Sequence, residues 1–210
     1  MSLCLEIRNL EKRFGDKTVI KGISLSCQSG KIYGITGYNG CGKSVFFKCI
    51  CGIYKPTKGE ILLDGKQLGR DMDMLPGTGV IIEEPAFLRG YSGFTNLDLL
   101  YRVNNKKDKK HIASMMEKVG LDPSLKLPVE KYSLGMKQRL GIAQAIMENP
   151  DILILDEPMN GLDKQGVEEI RQLLLEEREQ GKIILLASHN PLDIQYLCDV
   201  TYSFEDGRLA

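Results

Sequence analysis

The chain has 210 residues, and its 28 Lys and Arg balance 28 Asp and Glu to a formal charge of zero at pH 7. That length buries one substantial core, with room for an inserted subdomain but not for two independent domains, and the balanced charge offers nothing global to nucleic acid or to an anionic membrane. The longest apolar stretches, residues 152–155 and 183–187, fall far below the roughly 18 residues of a membrane span, and residues 1–10 carry Glu6, Arg8 and Asn9 where a secretory leader is continuously apolar; a cytosolic chain is expected.

In chain order, Leu3, Leu5 and Ile7 alternate with Cys4, Glu6 and Arg8, Gly15-Asp16-Lys17 turns the chain, and residues 23–27 resume the alternation, as a hairpin does. The N-terminal part is therefore expected to be antiparallel. A strand over residues 31–36 runs into a Gly-rich loop and a helix from Lys43 to about Cys51, and Lys58-Gly59 and Asp64-Gly65 bracket a strand over 60–63. Between Glu84 and Pro150 the pattern becomes helical, with segments at 96–102, 108–119 and 133–148, and the polar run 104–110 is the most loop-like stretch. From Asp151 the chain alternates strand (152–156), helix (164–180), strand (183–188), helix (191–197) and strand (200–204). Such βαβ alternation predicts an α/β fold with a parallel sheet. The six cysteines sit among apolar or Gly-rich neighbours and read as free thiols, and Cys49 and Cys51, one residue apart with two histidines in the whole chain, do not make a zinc pattern.

Gly37-Tyr38-Asn39-Gly40-Cys41-Gly42-Lys43-Ser44 fits the G-x-x-x-x-G-K-[ST] pattern, with a strand before it and the helix from Lys43 after it, and Val45 joins these residues as a phosphate-binding candidate. Glycines let consecutive backbone N–H groups turn inward on phosphate oxygens, and the helix dipole adds to the attraction. In such a loop Lys43 neutralises β- and γ-phosphate charge and the Ser44 hydroxyl coordinates Mg²⁺; the plainer reading is a Gly-rich turn capping a helix. A second anchor is the apolar run 152–155, which ends abruptly in Asp156 and Glu157. Two acids there serve two tasks, Asp156 holding the Mg²⁺ shell and Glu157 polarising an attacking water, unless they are simply a solvated acidic turn.

Tyr132-Ser133-Leu134-Gly135-Met136-Lys137-Gln138 before a helix, then Asp156-Glu157-Pro158, Asn160-Gly161-Leu162-Asp163, and Ser188-His189 after a strand follow the phosphate loop in order. Together these motifs resemble those of ABC ATPases, and the resemblance covers nearly the whole chain. It implies a P-loop NTPase (RecA-like) core with an N-terminal antiparallel β subdomain and an inserted helical subdomain. On that pattern residues 1–210 form one domain, with 1–84 and 150–210 as core and β subdomain and 85–149 as the helical subdomain. It further implies ATP and Mg²⁺ as ligands, Phe14 as the aromatic stacked on adenine, Glu83 at the Gln-loop position beside Ser44 and Asp156 at the metal, Glu157 as general base, and His189 as the switch histidine on the γ-phosphate. Ser133, Gly135 and Met136, at the positive end of a helix, would meet the γ-phosphate held by an opposite subunit. Ser133 as an ordinary N-cap is compatible with that.

The implied partners are a second ATPase copy or homologue in an ATP-dependent dimer and a separate polytopic membrane subunit, with no nucleic acid. The implied place is peripheral, on the inner face of the cell membrane. Three features depart from the commonest family form: the signature reads Tyr-Ser-Leu-Gly-Met in place of Leu-Ser-Gly-Gly-Gln, Glu83 replaces a Gln, and Cys41 stands where Ala or Ser is usual. With Glu-Glu-Pro-Ala-Phe at 83–87, the signature most resembles ATPase subunits of ABC-2-type exporters, including those for bacitracin and lantibiotic resistance. In the family the membrane partner docks near Phe87, Leu88, Tyr91 and Phe94, which can equally fill a subdomain core.

Two rival classes stand beside this one. Asn105-Lys106-Lys107-Asp108 matches the N-K-x-D pattern of guanine recognition, but it lies in a polar run and not at the end of an apolar strand. A non-transport ABC ATPase acting on ribosomes or nucleic acid is the other; such translation factors usually carry two ATPase halves, and the DNA-repair members a coiled-coil insertion. The chain stops soon after Asp206-Gly207, so no regulatory C-terminal domain is expected.

Overall fold

Alternating apolar residues build the first sheet of the computed structural model, which describes residues 3–209. Met1, Ser2 and Ala210, the outermost residues of the two terminal expectations, lie outside the described residues. β1 (Cys4–Phe14) pairs antiparallel with β2 (Lys17–Gln28), placing Leu5 against Cys27 and Ile7 against Leu25. The inward phase changes from odd to even positions between Ile7 and Leu10, where the register shifts and Asn9 adopts φ 49°, as a bulge does. β4 (Lys58–Leu63) adds to β1 and the short β5 (Lys66–Gln67) to β4, giving the order β2-β1-β4-β5.

The second sheet has the order β10-β9-β3-β8-β7-β6, from β3 (Lys31–Thr36), β6 (Thr78–Ile81), β7 (Ile152–Asp156), β8 (Ile183–Ala187), β9 (Val200–Glu205) and β10 (Arg208–Leu209). All its pairings are parallel except β9 with β10. Both faces are covered, as parallel sheets require: along β7, Ile152 and Ile154 join the cluster around Phe46 and Phe47 of α1 (Lys43–Ile50), while Leu153 and Leu155 join the cluster on the other face. That second cluster gathers α3 (Lys109–Lys118), α4 (Leu134–Ile146) and α5 (Lys164–Glu179). α6 (Pro191–Leu197) connects β8 to β9.

The helices α2 (Gly93–Tyr101), α3 and α4 form one excursion between the neighbouring strands β6 and β7. α2 starts three residues before the predicted helix because Ser92 caps it, accepting from the Thr95 N–H at 3.2 Å. Asp108 caps α3, accepting from the His111 N–H at 3.0 Å, so the carboxylate of the N-K-x-D match already serves the helix start. All six cysteines are free, and burial pushes the Cys49 thiol up to about 11 and the Cys51 thiol up to about 12, so this pair packs as protonated small hydrophobes.

One buried ion network joins the excursion to the core. Glu177 of α5 is 2% exposed and takes the Lys118 ammonium of α3 at 2.6 Å and that of Lys182, which also donates to Asn149 at 3.0 Å. Burial pushes the Glu177 carboxyl up, but the two lysine bonds prevail and hold it below its ordinary value of 4.5. Its stabilisation is therefore complete above about pH 4.5 and is lost as pH falls through the lower folded value. We expect Glu177→Gln to lower unfolding stability by about 3 kcal/mol at pH 7, the usual loss on breaking a buried pair. The gap from wild type in urea melts should close as pH falls below about 4.5; a gap that stays constant would show that the network is not what Glu177 contributes.

Candidate functional site

Three strands end together at one edge of the parallel sheet. Ala187 of β8 pairs with Ile35 of β3 on one side and Asp156 of β7 on the other, so the loops after all three leave from one level, where open α/β sheets bind ligands. After β3 the chain turns through Gly37 (φ 150°), Gly40 (φ 82°) and Gly42 (φ 119°) into α1. Gly40 opens on empty space, whereas a Cβ on Gly37 would lie 2.5 Å from the Phe204 carbonyl oxygen and 2.9 Å from the Cys41 Sγ.

The Lys43 side chain folds back into this loop, and its ammonium donates to the Gly37 and Tyr38 carbonyls at 2.7 and 3.2 Å. Lys43 is 6% exposed, and these bonds give its charge dipoles but no counter-ion, an arrangement that favours an incoming anion. The next residue, Ser44, donates to Asp156 Oδ2 at 2.5 Å. Asn39, Gly40, Gly42, Lys43, Ser44 and Val45 share a cleft of about 610 Å³ with Glu83, Asp156 and Glu157.

Glu157 turns the chain out of β7 at φ 51°, a left-handed conformation that costs a non-glycine residue on the order of 1 kcal/mol. Three donors hold the turn: the Glu157 N–H reaches the Ala187 carbonyl at 2.9 Å, and the Glu157 carbonyl accepts from the Asn160 N–H at 3.1 Å and from Gln138 of α4 at 3.3 Å. Glu157 Oε2 accepts from the His189 N–H at 3.3 Å and lies 2.8 Å from its Nδ1, while Oε1 is buried with no partner. An orphaned buried carboxylate oxygen calls for a donor that the chain does not supply.

These features fit a nucleoside triphosphate with magnesium. The loop offers N–H groups and an ammonium to phosphate, and Glu157 Oε1 offers an acceptor to a water. Among the described residues no three His, Cys, Asp or Glu side chains converge into a metal cage. A magnesium ion would be held by the Ser44 hydroxyl and one or two carboxylates together with phosphate oxygens, as hard cations are at such sites.

The other predicted positions lie around this cleft. Glu83 (φ 62°) turns its carboxylate to Lys48 of α1, at 2.6 Å, and that hydrogen bond holds the Lys48 ammonium above its ordinary pKa. Phe14 is 42% exposed, lies edge-on to Tyr54 at 5.4 Å with the Lys12 ammonium 4.7 Å from its ring, and does not line the cleft; Lys17 and Val19 of β2 do. Gly37, Tyr38 and His189 line a neighbouring cleft of about 480 Å³. Ser133 is exposed and caps α4, its oxygen accepting from the Met136 N–H at 3.2 Å. Gly135 closely approaches the Gly161 carbonyl, and Met136 packs on the second core cluster. Cys41 is 6% exposed, so its thiol is shielded.

Sequence reasoning missed Lys17, Val19, Lys48, Leu134 and Gln138. Leu134 and Gln138 belong to the Tyr132-to-Gln138 motif, and α4 carries both to the cleft wall; nothing local marks the other three.

A family model described as ABC transporter matches residues 20–160. The chain is 41% identical over 205 residues to the ABC transporter ATP-binding protein YybJ of Bacillus subtilis (strain 168), covering 98% of this chain and 94% of that protein. It is 39% identical over 212 residues to the bacitracin transport ATP-binding protein BcrA of Enterococcus faecalis, covering 100% of this chain and 69% of that protein. It is 35% identical over 206 residues to the lantibiotic transport ATP-binding protein SrtF of Streptococcus pyogenes, covering 98% and 88%. Among solved structures, an ATP binding subunit of an ABC transporter superposes with a TM-score of 0.86 at 24% identity, covering 98% of this chain and 87% of that one. The dimeric structure of a bacterial ABC transporter cassette does so at 0.87 and 22%, covering 98% and 96%. These two likenesses establish the fold, an α/β ABC cassette as the sequence predicts.

Gly37→Ala tests the phosphate-binding loop directly. Its Cβ would strike the Phe204 backbone, and re-shaping the loop costs on the order of 1–3 kcal/mol. Fluorescent ATP binding should weaken about tenfold or more; unchanged affinity would rule out the loop as the phosphate cradle.

Proposed function

The chain belongs to the family of ABC transporter ATP-binding proteins, and from that premise we propose that it hydrolyses ATP to power export through a separate membrane subunit. The observation that carries the catalytic reading is the orphaned Oε1 of Glu157 in the cleft shared with Lys43 and the Ser44–Asp156 pair. On this reading the triphosphate takes the place of the Gly37 and Tyr38 carbonyls as partner of the Lys43 ammonium. Glu157 Oε1 accepts a hydrogen bond from a water, orients it toward the γ-phosphorus and takes its proton as the new P–O bond forms and the bond to the β-phosphate oxygen breaks. His189 holds Oε2, which keeps the carboxylate from turning away. Ser44 and Asp156, with Glu83 as a third candidate, would hold magnesium, which would neutralise charge on the phosphate oxygens. Adenine leaves the cleft past Val19 and stacks on Phe14, which stands outside the cleft wall.

Two further surfaces are assigned by the same reading. Ser133 stands exposed at the start of α4, whose first turn has no acidic residue to occupy the positive end of the helix dipole; it suits the γ-phosphate in an opposing copy or homologue, and the related cassette cited above is dimeric. Phe87, Leu88, Leu99 and Leu100 line a cleft of about 410 Å³, and Leu88, Leu99 and Leu100 are 53, 42 and 42% exposed. A polytopic membrane partner would cover this apolar surface. Among the described residues no helix is long and apolar enough to cross a membrane; on this reading the membrane partner holds the chain peripherally, at the cytoplasmic face. The names of BcrA and SrtF support a peptide antibiotic or a drug as cargo.

Glu157→Gln keeps the shape and removes the base. Its Mg-ATP hydrolysis should fall by about 10²–10⁴-fold while light scattering shows an ATP-bound dimer that persists. Hydrolysis at the wild-type rate would remove Glu157 from the chemistry.

A further inference from the structure

His189 is the least protected member of the pair it forms with Glu157. Its side chain is 63% exposed, and it follows the last residue of β8 by two positions, beyond the ladder that fixes the strand. What holds its backbone is a chain of bonds that begins at a buried charge. Asp193, in the first turn of α6, is 2% exposed, and a buried carboxylate stays ionised only where cations and donors replace its water. Arg171 of α5 supplies the cation, with Nε and an Nη at 3.0 and 2.5 Å from Oδ1.

The other carboxylate oxygen, Oδ2, accepts the Ser188 hydroxyl at 3.0 Å. A hydroxyl has one proton, and here it is committed to the carboxylate. The Ser188 oxygen is thereby turned to accept, and it takes the Asn190 N–H at 3.1 Å. Ser188 is 3% exposed, so water cannot stand in for either partner. The residues before and after His189 are thus tied to each other and to one buried ion pair between α5 and α6.

We propose that Ser188, anchored by Asp193 and Arg171, is a positioning residue that holds the His189 ring on Glu157 Oε2 and so keeps Oε1 free for the attacking water. The proposal rests on the reading of Glu157 and His189 as the hydrolytic pair. It assigns a task to three residues that do not line the cleft of Lys43 and Glu157.

Ser188→Ala removes the hydroxyl, Ser188→Thr keeps it, and Arg171→Lys keeps the charge but not the guanidinium fork. Two readouts separate positioning from mere stability. The first is the ring ¹⁵N spectrum of the protein without nucleotide: the chain has two histidines, and His111, whose Nε2 lies 2.6 Å from the Met147 carbonyl, is the internal reference. With the ring neutral, a carboxylate at Nδ1 selects the Nδ1–H tautomer. Wild type and Ser188→Thr should show that tautomer at His189. Ser188→Ala should show a mixture, Arg171→Lys a smaller change in the same sense, and His111 should not move.

The second readout is kinetic. Ser188→Ala should lose about tenfold in kcat, the order expected when a reacting group shifts by less than 1 Å, with fluorescent-ATP affinity within about twofold of wild type and with recovery in Ser188→Thr. In a His189→Ala background Ser188→Ala should cost nothing more, because it acts through that histidine. An unchanged His189 tautomer in Ser188→Ala, or the same loss in kcat with His189 already gone, overturns the proposal while leaving the hydrolytic pair in place. A His189→Ala protein as active as wild type overturns the reading of the pair itself, and the proposal with it.

Discussion

Ala187 pairs with Ile35 on one side and Asp156 on the other, and the geometry of the cleft depends on that single level in the parallel ladder. A one-residue slip in any of the three strands would move the phosphate-binding loop, the Asp156-Glu157 corner or the His189 loop by about 3.3 Å and turn its side chains to the opposite face. Ile183 to Ala187 are all 0% exposed and divide between the two core clusters, so a slip of β8 would exchange the side-chain shapes offered to two close-packed faces. The Ser44–Asp156 and His189–Glu157 contacts are consequences of this alignment, each closing a gap between loops that the sheet has already brought together.

The buried charges divide by how they are compensated. Glu177, Lys118 and Lys182 satisfy one another away from the cleft, and Asp193 is matched by Arg171 and Ser188. Such closed networks hold elements in a fixed relation. Inside the cleft the matching is incomplete: Lys43 has carbonyls but no anion, and Glu157 has an oxygen with no donor. Asp98 Oδ1 on α2 is also buried without a partner, so an open carboxylate marks chemistry here only where, as at Glu157, it shares a cleft with Lys43 and the Ser44–Asp156 pair.

Much of this was legible in the sequence, for reasons that differ by region. The phosphate-binding loop and the β7 corner are local: glycines at required positive φ, a buried strand ending in two acids, and a helix start all fall within a few residues. The parallel sheet followed from βαβ alternation. What escaped depends on long-range placement. Lys48 and Glu83 are 35 residues apart, and neither carries a local sign of the other. Val19 reaches the cleft because a strand of one sheet passes the loop of another, whereas the aromatic assigned to adenine, Phe14, stands on Tyr54 outside the cleft wall. The short strands β5 and β10 lack enough residues to show a period, and α2 starts earlier than its apolar period shows because the Ser92 cap lies outside that period.

Ser133 shows how a capping residue and a phosphate contact can be the same group. A hydroxyl has one proton to give and two lone pairs with which to accept. Capping α4 uses one lone pair, on the Met136 N–H, and leaves the proton undirected. The residue is exposed, so that proton meets solvent in a single chain and would meet a phosphate oxygen where a second copy brings one. The changed signature bears on this economy unevenly. Leu134 and Met136 alter the surface beside the hydroxyl, Leu134 being 54% exposed, but the donor and the dipole behind it come from Ser133 and from the backbone of a 13-residue helix, which those substitutions leave intact. The proposed contact across the dimer is therefore retained in kind, and the chain departs from the common family form in the shape of the surface around it.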